Sequence, residues 1–215
     1  MTALHVFDMD GTLLRGTTAP IEISRRTGRE APLAELERGF AAEEITAAQF
    51  AVEMRELWDD LTAELVIQIV ADAPWIEGID DVCADIAQRG ERSMLITMSP
   101  DFFADHLGDR GIDVVYASRF PPLPFAAPID PAGILNPVDK VRLAEAERAA
   151  HGLPRSACVA YGDSMSDIPL FDVLENTVAV NADPALEGAA RVTYRGEDLR
   201  EAYAHGRALL EAARR

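Results

Sequence analysis

The sequence predicts an α/β protein built on a parallel sheet, and two observations support this fold class. Short apolar segments typical of buried strands lie near residues 4–8, 93–97, 113–117, 157–161 and 177–181. Segments with helical periodicity separate them, and this alternation favours parallel strands joined by right-handed helical crossovers. Hydrophobic residues make up 48% of the 215-residue chain, so a substantial core is available.

Residues 15–75, which follow the first predicted strand, differ in composition from the rest of the chain. They are rich in Ala, Glu, Leu and Arg, and several prolines and glycines interrupt them. This pattern predicts a small helical insertion, and Pro74 and Trp75 mark its predicted return to the sheet. We therefore expect one unit formed by residues 1–14 and 76–215 and a helical unit formed by residues 15–75.

Local signals predict the remaining elements. Gly78 precedes the helix that leads to the second strand, and a further helical pattern runs from Lys140 to Ala150. Six prolines between residues 119 and 137 exclude a long helix there and predict a loop or an irregular hairpin. The last predicted helix lies near residues 197–213 and is expected to pack on the sheet.

Two aspartates follow the first predicted strand. Asp8 and Asp10 lie where the apolar run Ala3–Phe7 enters a turn at Gly11. The carboxyl ends of parallel strands face the ligand crevice, and uncompensated buried charge is costly. A bound cation or a phosphate-binding role would explain this pair, although an aspartate here can also organise a turn or cap a helix.

Polar residues also stand out later in the chain. Thr97 ends the second predicted strand, Lys140 is the only lysine, and Asp163 follows the fourth predicted strand. The sequence Asp-x-Asp-Gly-Thr-Leu, the hydroxyl residue, the lysine and the acidic turn resemble, in this order, the four motifs of the haloacid dehalogenase (HAD) superfamily of phosphohydrolases. This resemblance covers nearly the whole chain.

The resemblance implies a Rossmann-like parallel sheet flanked by helices, with a small helical cap inserted after the first strand. Residues 15–75 would form this cap. An insertion at this place is similar to that of the phosphoserine-phosphatase-like branch, where the cap closes over a small substrate. A lid of this kind excludes water and selects the leaving group.

An aspartyl-phosphate mechanism is implied by the resemblance, and the chemistry of the residues also favours it. Asp8 is the candidate nucleophile, because a covalent intermediate divides one difficult displacement into two easier steps. Asp10 is the candidate acid and base, a role favoured by a pKa that burial and nearby negative charge would raise. Lys140 is the candidate phosphate ligand, and Thr97 with the main-chain N–H of Met98 would complete a cradle for the phosphate.

Mg2+ is the expected cofactor, because a small hard cation prefers oxygen ligands around a phosphate. The resemblance implies that the Asp8 carboxylate, the Asp10 main-chain carbonyl and the Asp163 carboxylate bind it. Asp167 lies four residues after Asp163 and would hold a metal-bound water or fix the neighbouring cation. It can equally be an acid at a helix N-terminus. Ser166 stands where this branch commonly has asparagine, so the resemblance leaves open whether Ser166 or Asp167 contacts the metal shell.

Several residues of the expected cap are candidates for substrate contacts. Thr17 stands where phosphoserine phosphatases typically have the glutamate that grips the substrate amine, and Arg55 lies within about a turn of their carboxylate-binding arginine. These departures argue against phosphoserine as the substrate. Other residues could line a less polar pocket, although apolar residues at helical spacing belong more often to a core. They are Thr18, Phe50, Met54 and Trp58, together with Thr17.

The charge of the chain restricts its partners. The 20 basic and 37 acidic residues give a formal charge of −17, which disfavours nonspecific binding to nucleic acid or anionic membranes. The sequence shows no secretory-signal pattern and no apolar run near the roughly 20 residues of a membrane span, so we expect a cytoplasmic protein. Cys83 and Cys158 fall in a helical and a strand pattern, so we expect two buried thiols and no disulfide.

The sequence therefore predicts a Mg2+-dependent phosphomonoesterase that acts on a small phosphorylated metabolite and is not specific for phosphoserine. A phosphomutase of the same fold would use the same first steps and return the phosphoryl group to another hydroxyl. A noncatalytic protein that binds a phosphorylated metabolite is the alternative from another class. Dehalogenation is disfavoured, because Asp10 supplies a proton-transfer function that carbon–halogen hydrolysis by this fold does not use at that position.

Overall fold

A computed structural model describes residues 2–214 and contains a six-stranded sheet in which all neighbouring strands are parallel. The predicted α/β class is confirmed. The strands are β1 Leu4–Phe7, β2 Arg92–Pro100, β3 Val114–Ser118, β4 Cys158–Gly162, β5 Asn176–Val180 and β6 Val192–Tyr194. Their order across the sheet is β3-β2-β1-β4-β5-β6, so the strand order reverses beside β1. Ligands of open α/β sheets bind at such a switch point.

Helices connect the strands and form the insertion. Those of the described chain are α1 Ala19–Thr27, α2 Glu30–Ala41, α3 Ala47–Leu57, α4 Ala63–Asp72, α5 Ile79–Gln88, α6 Asp101–Ala104, α7 Pro137–Ala150, α8 Ile168–Val173, α9 Pro184–Glu187 and α10 Leu199–Ala213. Helix α10 packs on α5, β4 and β5, whereas α7 packs on α8 and β2. Across residues 2–214, none of these helices combines the length and the apolar character that crossing a membrane requires.

Residues of β1 alternate between the two faces of the sheet. Leu4 and Val6 belong to the apolar cluster that includes residues of α7 and α8, and Phe7 belongs to the cluster that includes residues of α5 and α10. The ring of Phe7 stacks on Tyr161 of β4 with 4.6 Å between the centroids. Because helices cover both faces, the strand is apolar at almost every position, as parallel strands usually are.

The pairing registers bring polar residues to one edge of the sheet. Phe7 pairs with Leu95 of β2 and with Tyr161 of β4. Asp8 follows Phe7 directly, and Thr97 lies two residues beyond Leu95, so both emerge at the carboxyl edge. The N–H of Asp8 donates a 2.9 Å hydrogen bond to the Tyr161 carbonyl, which continues the ladder to the first acidic residue.

Helices α1 to α4 form an insertion after β1, and the chain enters and leaves it at adjacent points. Leu14 forms an antiparallel bridge with Trp75. The N–H of Arg15 donates a 2.9 Å hydrogen bond to the Pro74 carbonyl. Helices α1 to α4 lie between these points, and Trp58 is fully buried. The two ends of the insertion are therefore bound to each other.

Some details differ from the sequence prediction. Strand β6 was not predicted, because it has three residues and only Tyr194 of them is buried. The prediction that a helix begins at Lys140 is wrong, since α7 begins at Pro137. Asn136 caps this helix in a reciprocal capping box with Asp139, which extends the helix by one turn.

Other expectations are met by the structure. Between β3 and α7 the chain is irregular and contains one short 3-10 turn at Pro131–Gly133. Cys83 and Cys158 are buried free thiols. The proline-rich segment and the two thiols therefore agree with the sequence prediction.

Candidate active site

A buried lysine joins two carboxylates at the carboxyl edge of the sheet. Nζ of Lys140 lies 2.6 Å from Oδ1 of Asp8 and 2.6 Å from Oδ1 of Asp167. Lys140 is 1% exposed, and it donates a third hydrogen bond of 3.2 Å to Ser166 Oγ. Burial opposes the charged form, but the two carboxylates outweigh it and raise the pKa of Lys140 above its ordinary value. The ammonium group is therefore charged and fully engaged.

Asp167 holds this lysine from the turn that follows β4. Its Oδ2 accepts hydrogen bonds from the N–H groups of Asp163 at 3.1 Å and Ser164 at 3.3 Å, which leaves Oδ1 to face Lys140. A Cβ atom on Gly162 would lie 2.5 Å from the carboxyl carbon of Asp167. Glycine at that position therefore leaves room for the carboxylate beneath the end of β4.

Near Lys140 and Asp167, one carboxylate oxygen of Asp163 has no hydrogen-bond partner in the described chain. Oδ1 of Asp163 is buried and accepts no hydrogen bond from residues 2–214. One carboxylate oxygen from each of Asp8, Asp163 and Asp167 lies within 4.8 Å of the other two. Burial, reinforced by the charge of Asp167, raises the pKa of Asp163 to about 7. Three carboxylates against one ammonium group leave excess negative charge, and oxygen ligands of this kind fit the expected Mg2+.

Gly11 makes the close approach of Asp163 possible. Its φ is +75°, in the left-handed region that favours glycine. A Cβ atom at this position would lie 1.9 Å from Oδ2 of Asp163. The glycine after the two aspartates is therefore required both by its backbone conformation and by the neighbouring carboxylate.

Asp10 is held by donors from the sheet and from the insertion. Its Oδ1 accepts a 2.7 Å hydrogen bond from the N–H of Ala19, the first residue of α1. Its Oδ2 accepts hydrogen bonds from Ser99 Oγ at 2.6 Å and from Thr97 Oγ1 at 3.3 Å. Burial raises the pKa of Asp10 above its ordinary value, although these hydrogen bonds oppose the rise. A carboxyl group with a raised pKa suits proton transfer near neutral pH.

Sequence reasoning missed Ser99. It follows Thr97 by two residues in β2, so both side chains lie on the same side of the strand. The N–H of Ser99 donates a 3.1 Å hydrogen bond to Thr97 Oγ1. The spacing of the two hydroxyl residues was a signal in the sequence, but its meaning depends on a contact with Asp10, 89 residues away along the chain.

A cavity of about 220 Å³ lies between the sheet edge and the insertion. The sheet side of its lining includes Asp10, Met98 and Ser99. The insertion side includes Thr18, Glu37, Phe40, Phe50 and Met54. This lining includes three residues that the sequence suggested for a pocket, Thr18, Phe50 and Met54. Trp58 is not among them, because it is buried elsewhere and its ring N–H donates a 3.0 Å hydrogen bond to Ser24 Oγ.

Thr17 and Arg55 do not line this cavity, which corrects their expected placement. Oγ1 of Thr17 donates a 2.7 Å hydrogen bond to Glu22, and the residue borders a separate cleft beside Gly11. Nη2 of Arg55 donates a 3.2 Å hydrogen bond to the carbonyl of Phe125, and its guanidinium carbon lies 5.8 Å from the centroid of that ring. Each side chain is engaged by a neighbour within the chain instead.

Comparisons with known proteins agree with this architecture. The sequence profile of the haloacid dehalogenase-like hydrolases matches residues 5–172. The phosphoserine phosphatase of Methanocaldococcus jannaschii is 24% identical over 200 residues, which cover 92% of this chain and 94% of that protein. A phosphoserine phosphatase of Mycobacterium tuberculosis is 25% identical over 153 residues, which cover 66% of this chain and 46% of that protein.

A solved structure shares the fold. It is described as a phospho-aspartyl intermediate analogue of phosphoserine phosphatase, and it superposes with a TM-score of 0.78. The match covers 95% of this chain and 98% of the other at 22% identity. At this level of identity the likeness shows the fold alone.

Proposed function

We propose that this chain, which belongs to the haloacid dehalogenase-like hydrolases and is a phosphatase of that family, hydrolyses small phosphate monoesters with Mg2+ as cofactor. The arrangement that carries the proposal is the contact of 2.6 Å between Asp8 and Lys140 next to the unpartnered oxygen of Asp163. Phosphoryl transfer depends mainly on positioning and on positive charge around the phosphoryl oxygens. A nucleophilic carboxylate, a fixed ammonium group and cation ligands meet here.

The proposed reaction has two displacements at phosphorus. A carboxylate oxygen of Asp8 attacks phosphorus, the bond to the ester oxygen breaks, and Asp10 donates a proton to the departing alcohol. A water molecule then attacks the aspartyl phosphate, Asp10 accepts a proton from it, and inorganic phosphate leaves as the Asp8 carboxylate is restored. Lys140 neutralises the phosphoryl oxygens, with Thr97 and the Met98 N–H as further proposed phosphate contacts.

Asp8, Asp163 and the main-chain carbonyl of Asp10 are the proposed Mg2+ ligands. When bound, the ion supplies further positive charge beside the phosphoryl oxygens. The buried, unpartnered oxygen of Asp163 supports this assignment. We assign Asp167 to the positioning of Lys140, because both of its oxygens accept hydrogen bonds from the chain itself.

We also propose that residues 15–75 act as a cap over the substrate and that residues 1–14 and 76–215 form the catalytic unit. The cavity is lined from both sides, which supports this division. The hydrogen bond from the Ala19 N–H to Asp10 links the first helix of the insertion to the proposed acid and base. A movement of α1 relative to the sheet would change this contact, so cap closure and the orientation of Asp10 are coupled.

The proposed substrate is a small phosphorylated metabolite other than phosphoserine. The described lining of the cavity contains no arginine or lysine that could pair with a substrate carboxylate. The hydroxyl of Thr17 is already bound to Glu22. The relatives are named phosphoserine phosphatases. For this chain, that name supports the proposed reaction but not serine as the leaving alcohol.

Replacement of the nucleophile tests the reaction. Asp8→Asn keeps the size of the side chain, and Lys140 keeps its second partner, Asp167. We therefore expect a folded protein and no detectable phosphate release from any ester that the wild type hydrolyses in Mg2+. A panel of phosphorylated metabolites, assayed with and without EDTA, identifies those esters. Hydrolysis retained by Asp8→Asn would exclude the covalent mechanism.

The same assays distinguish a phosphatase from a phosphomutase and from a noncatalytic binding protein. Phosphate release without an added sugar bisphosphate argues against a phosphomutase. A wild-type protein that releases no phosphate from any ester, and that binds no beryllofluoride in the presence of Mg2+, would contradict the hydrolase.

A further inference from the structure

The cavity beside Asp10 contains an acidic side chain that the proposed hydrolysis does not use. Glu37, on α2, lies in the lining at the insertion side. Burial raises the pKa of Glu37, and no hydrogen bond or charge from residues 2–214 contributes to the shift. Its chain neighbour Arg38 lies 3.7 Å from Glu35 instead. The Glu37 carboxylate is therefore available to a group that enters the cavity.

Two aromatic rings share this side of the cavity. Phe40 and Phe50 both belong to the lining, and their centroids are 5.2 Å apart with 29° between the planes. The faces of aromatic rings attract cations, including ammonium groups that carry methyl substituents. A carboxylate beside stacked aromatic rings therefore combines charge with an apolar surface, which suits an organic cation better than a neutral hydroxyl.

Positive charge is missing from the described lining. It contains no lysine or arginine, while Asp10 and Glu37 both contribute carboxyl groups. A carboxylate on the substrate would find no counterion there and would be repelled by these groups. The lining thus disfavours the ester of a hydroxy amino acid and favours an alcohol whose only charge is positive.

We propose that Glu37, with Phe40 and Phe50, forms a subsite for an ammonium group, and that the substrate is the phosphate monoester of an amino alcohol without a carboxylate. This inference rests on the proposed phosphatase activity and names its substrate class. With the phosphate at Asp8, the rest of the ester extends past Ser99 into the cavity towards Glu37.

Two pairs of esters test whether the positive charge of the alcohol group raises the rate of hydrolysis, since the members of each pair have a similar shape and differ in this charge. Trimethylammonioethyl phosphate is compared with dimethylbutyl phosphate, in which carbon replaces the nitrogen, and aminoethyl phosphate is compared with propyl phosphate. In at least one pair we expect the wild-type kcat/KM to be about tenfold higher for the ammonium ester. We expect Glu37→Gln to bring this ratio close to one. Glu35→Gln, on the exposed side of the same helix, is the matched control and should keep the wild-type ratio.

The outcomes separate this inference from the phosphatase activity itself. Neutral esters that are hydrolysed as fast as their ammonium partners, or a ratio that Glu37→Gln leaves unchanged, would overturn the subsite and leave the hydrolase standing. A wild-type preference for phosphoserine over aminoethyl phosphate would also overturn it. If no ester is hydrolysed in Mg2+, including p-nitrophenyl phosphate, both proposals fail.

Discussion

Oγ of Ser99 donates a 2.6 Å hydrogen bond to Oδ2 of Asp10, while the N–H of Ala19 occupies the other oxygen of the same carboxyl group. Ser99 belongs to β2 and Ala19 to α1, so the sheet and the insertion each hold one side of the proposed acid and base. The orientation of Asp10 therefore depends on two elements that are distant in the sequence.

Removal of the Ser99 hydroxyl should impair proton transfer. We expect Ser99→Ala to lower kcat about tenfold, because Asp10 loses a donor that orients it, and to lower the free energy of unfolding by about 1 kcal/mol. Ser93→Ala is a matched control in the same strand, where Ser93 Oγ donates a 3.0 Å hydrogen bond to Asp113. Steady-state kinetics and urea denaturation should show a stability loss in both variants and a kcat loss in Ser99→Ala alone. Equal kcat losses would contradict the role of Ser99.

A methyl group at Gly11 should disrupt the proposed cation site. Gly11→Ala and Gly16→Ala both place alanine at a positive φ, +75° and +66°, so each should lose about 1 kcal/mol of stability through backbone strain. Gly16 has no atom within 4 Å of the added Cβ, whereas Gly11 meets Oδ2 of Asp163 at 1.9 Å. We expect Mg2+ to raise the melting temperature of Gly16→Ala but not that of Gly11→Ala. The same Mg2+ response in both variants would argue against Asp163 as a ligand.

Loss of the single lysine should strengthen Mg2+ binding while it abolishes hydrolysis. Lys140→Met leaves Asp8 and Asp167 without their ammonium partner next to Asp163. We therefore expect tighter Mg2+ binding by isothermal titration calorimetry and a metal-free protein less stable by about 3–5 kcal/mol. Arg142→Met, at an exposed ion pair of the same helix, is the control and should change neither property substantially. Weaker Mg2+ binding in Lys140→Met would contradict a cation site built on these carboxylates.

A second buried ionic group lies away from the site, around His5 and Glu91. Nε2 of His5 lies 3.0 Å from Oε2 of Glu91, which also pairs with Arg207, and Oε1 lies 3.5 Å from Arg214. Burial lowers the pKa of His5 despite the opposing effect of Glu91. Burial opposes ionisation of Glu91, but His5 and Arg207 outweigh it and lower its pKa to about 2. Both shifts make the folded protein bind protons less readily than the unfolded chain does.

The parts of the unfolding free energy that are linked to His5 and to Glu91 should consequently decrease on acidification, each in its own pH range. The stability linked to His5 is present above its ordinary pKa of 6.5 and is lost as the pH falls below that value. The stability linked to Glu91 is present above 4.5 and is lost as the pH falls towards 2. Urea denaturation of the wild type and of His5→Gln tests the first range, since the wild type should lose stability relative to the variant as the pH falls below 6.5. Asp85, which also acts on His5, is unchanged in both proteins.

Much of the fold could be predicted because the signals are local. Apolar segments indicated β1 to β5, and the composition of residues 15–75 indicated the insertion. The three-residue strand β6 was too short for a recognisable pattern. The spacing of Asp8 and Asp10 at a strand end is likewise a local signal, and it predicts a reaction centre.

Glu37 carried no such signal, because it is one of 37 acidic residues and lies in an ordinary helical pattern. Arg55 was expected near the substrate from its position along the chain, yet its guanidinium group contacts Phe125. The sequence does not show which side of a helix faces a cavity, because this depends on how the helices pack.

By itself the sequence determined the alternation of strands and helices, the place of the insertion and the acidic strand end, since periodicity, chain breakers and motif spacing act over short distances. The tertiary structure alone decided that Ser99 meets Asp10 and that Glu37 shares a cavity with them. These contacts join segments far apart in the chain, and the packing of the insertion against the sheet edge brings them together.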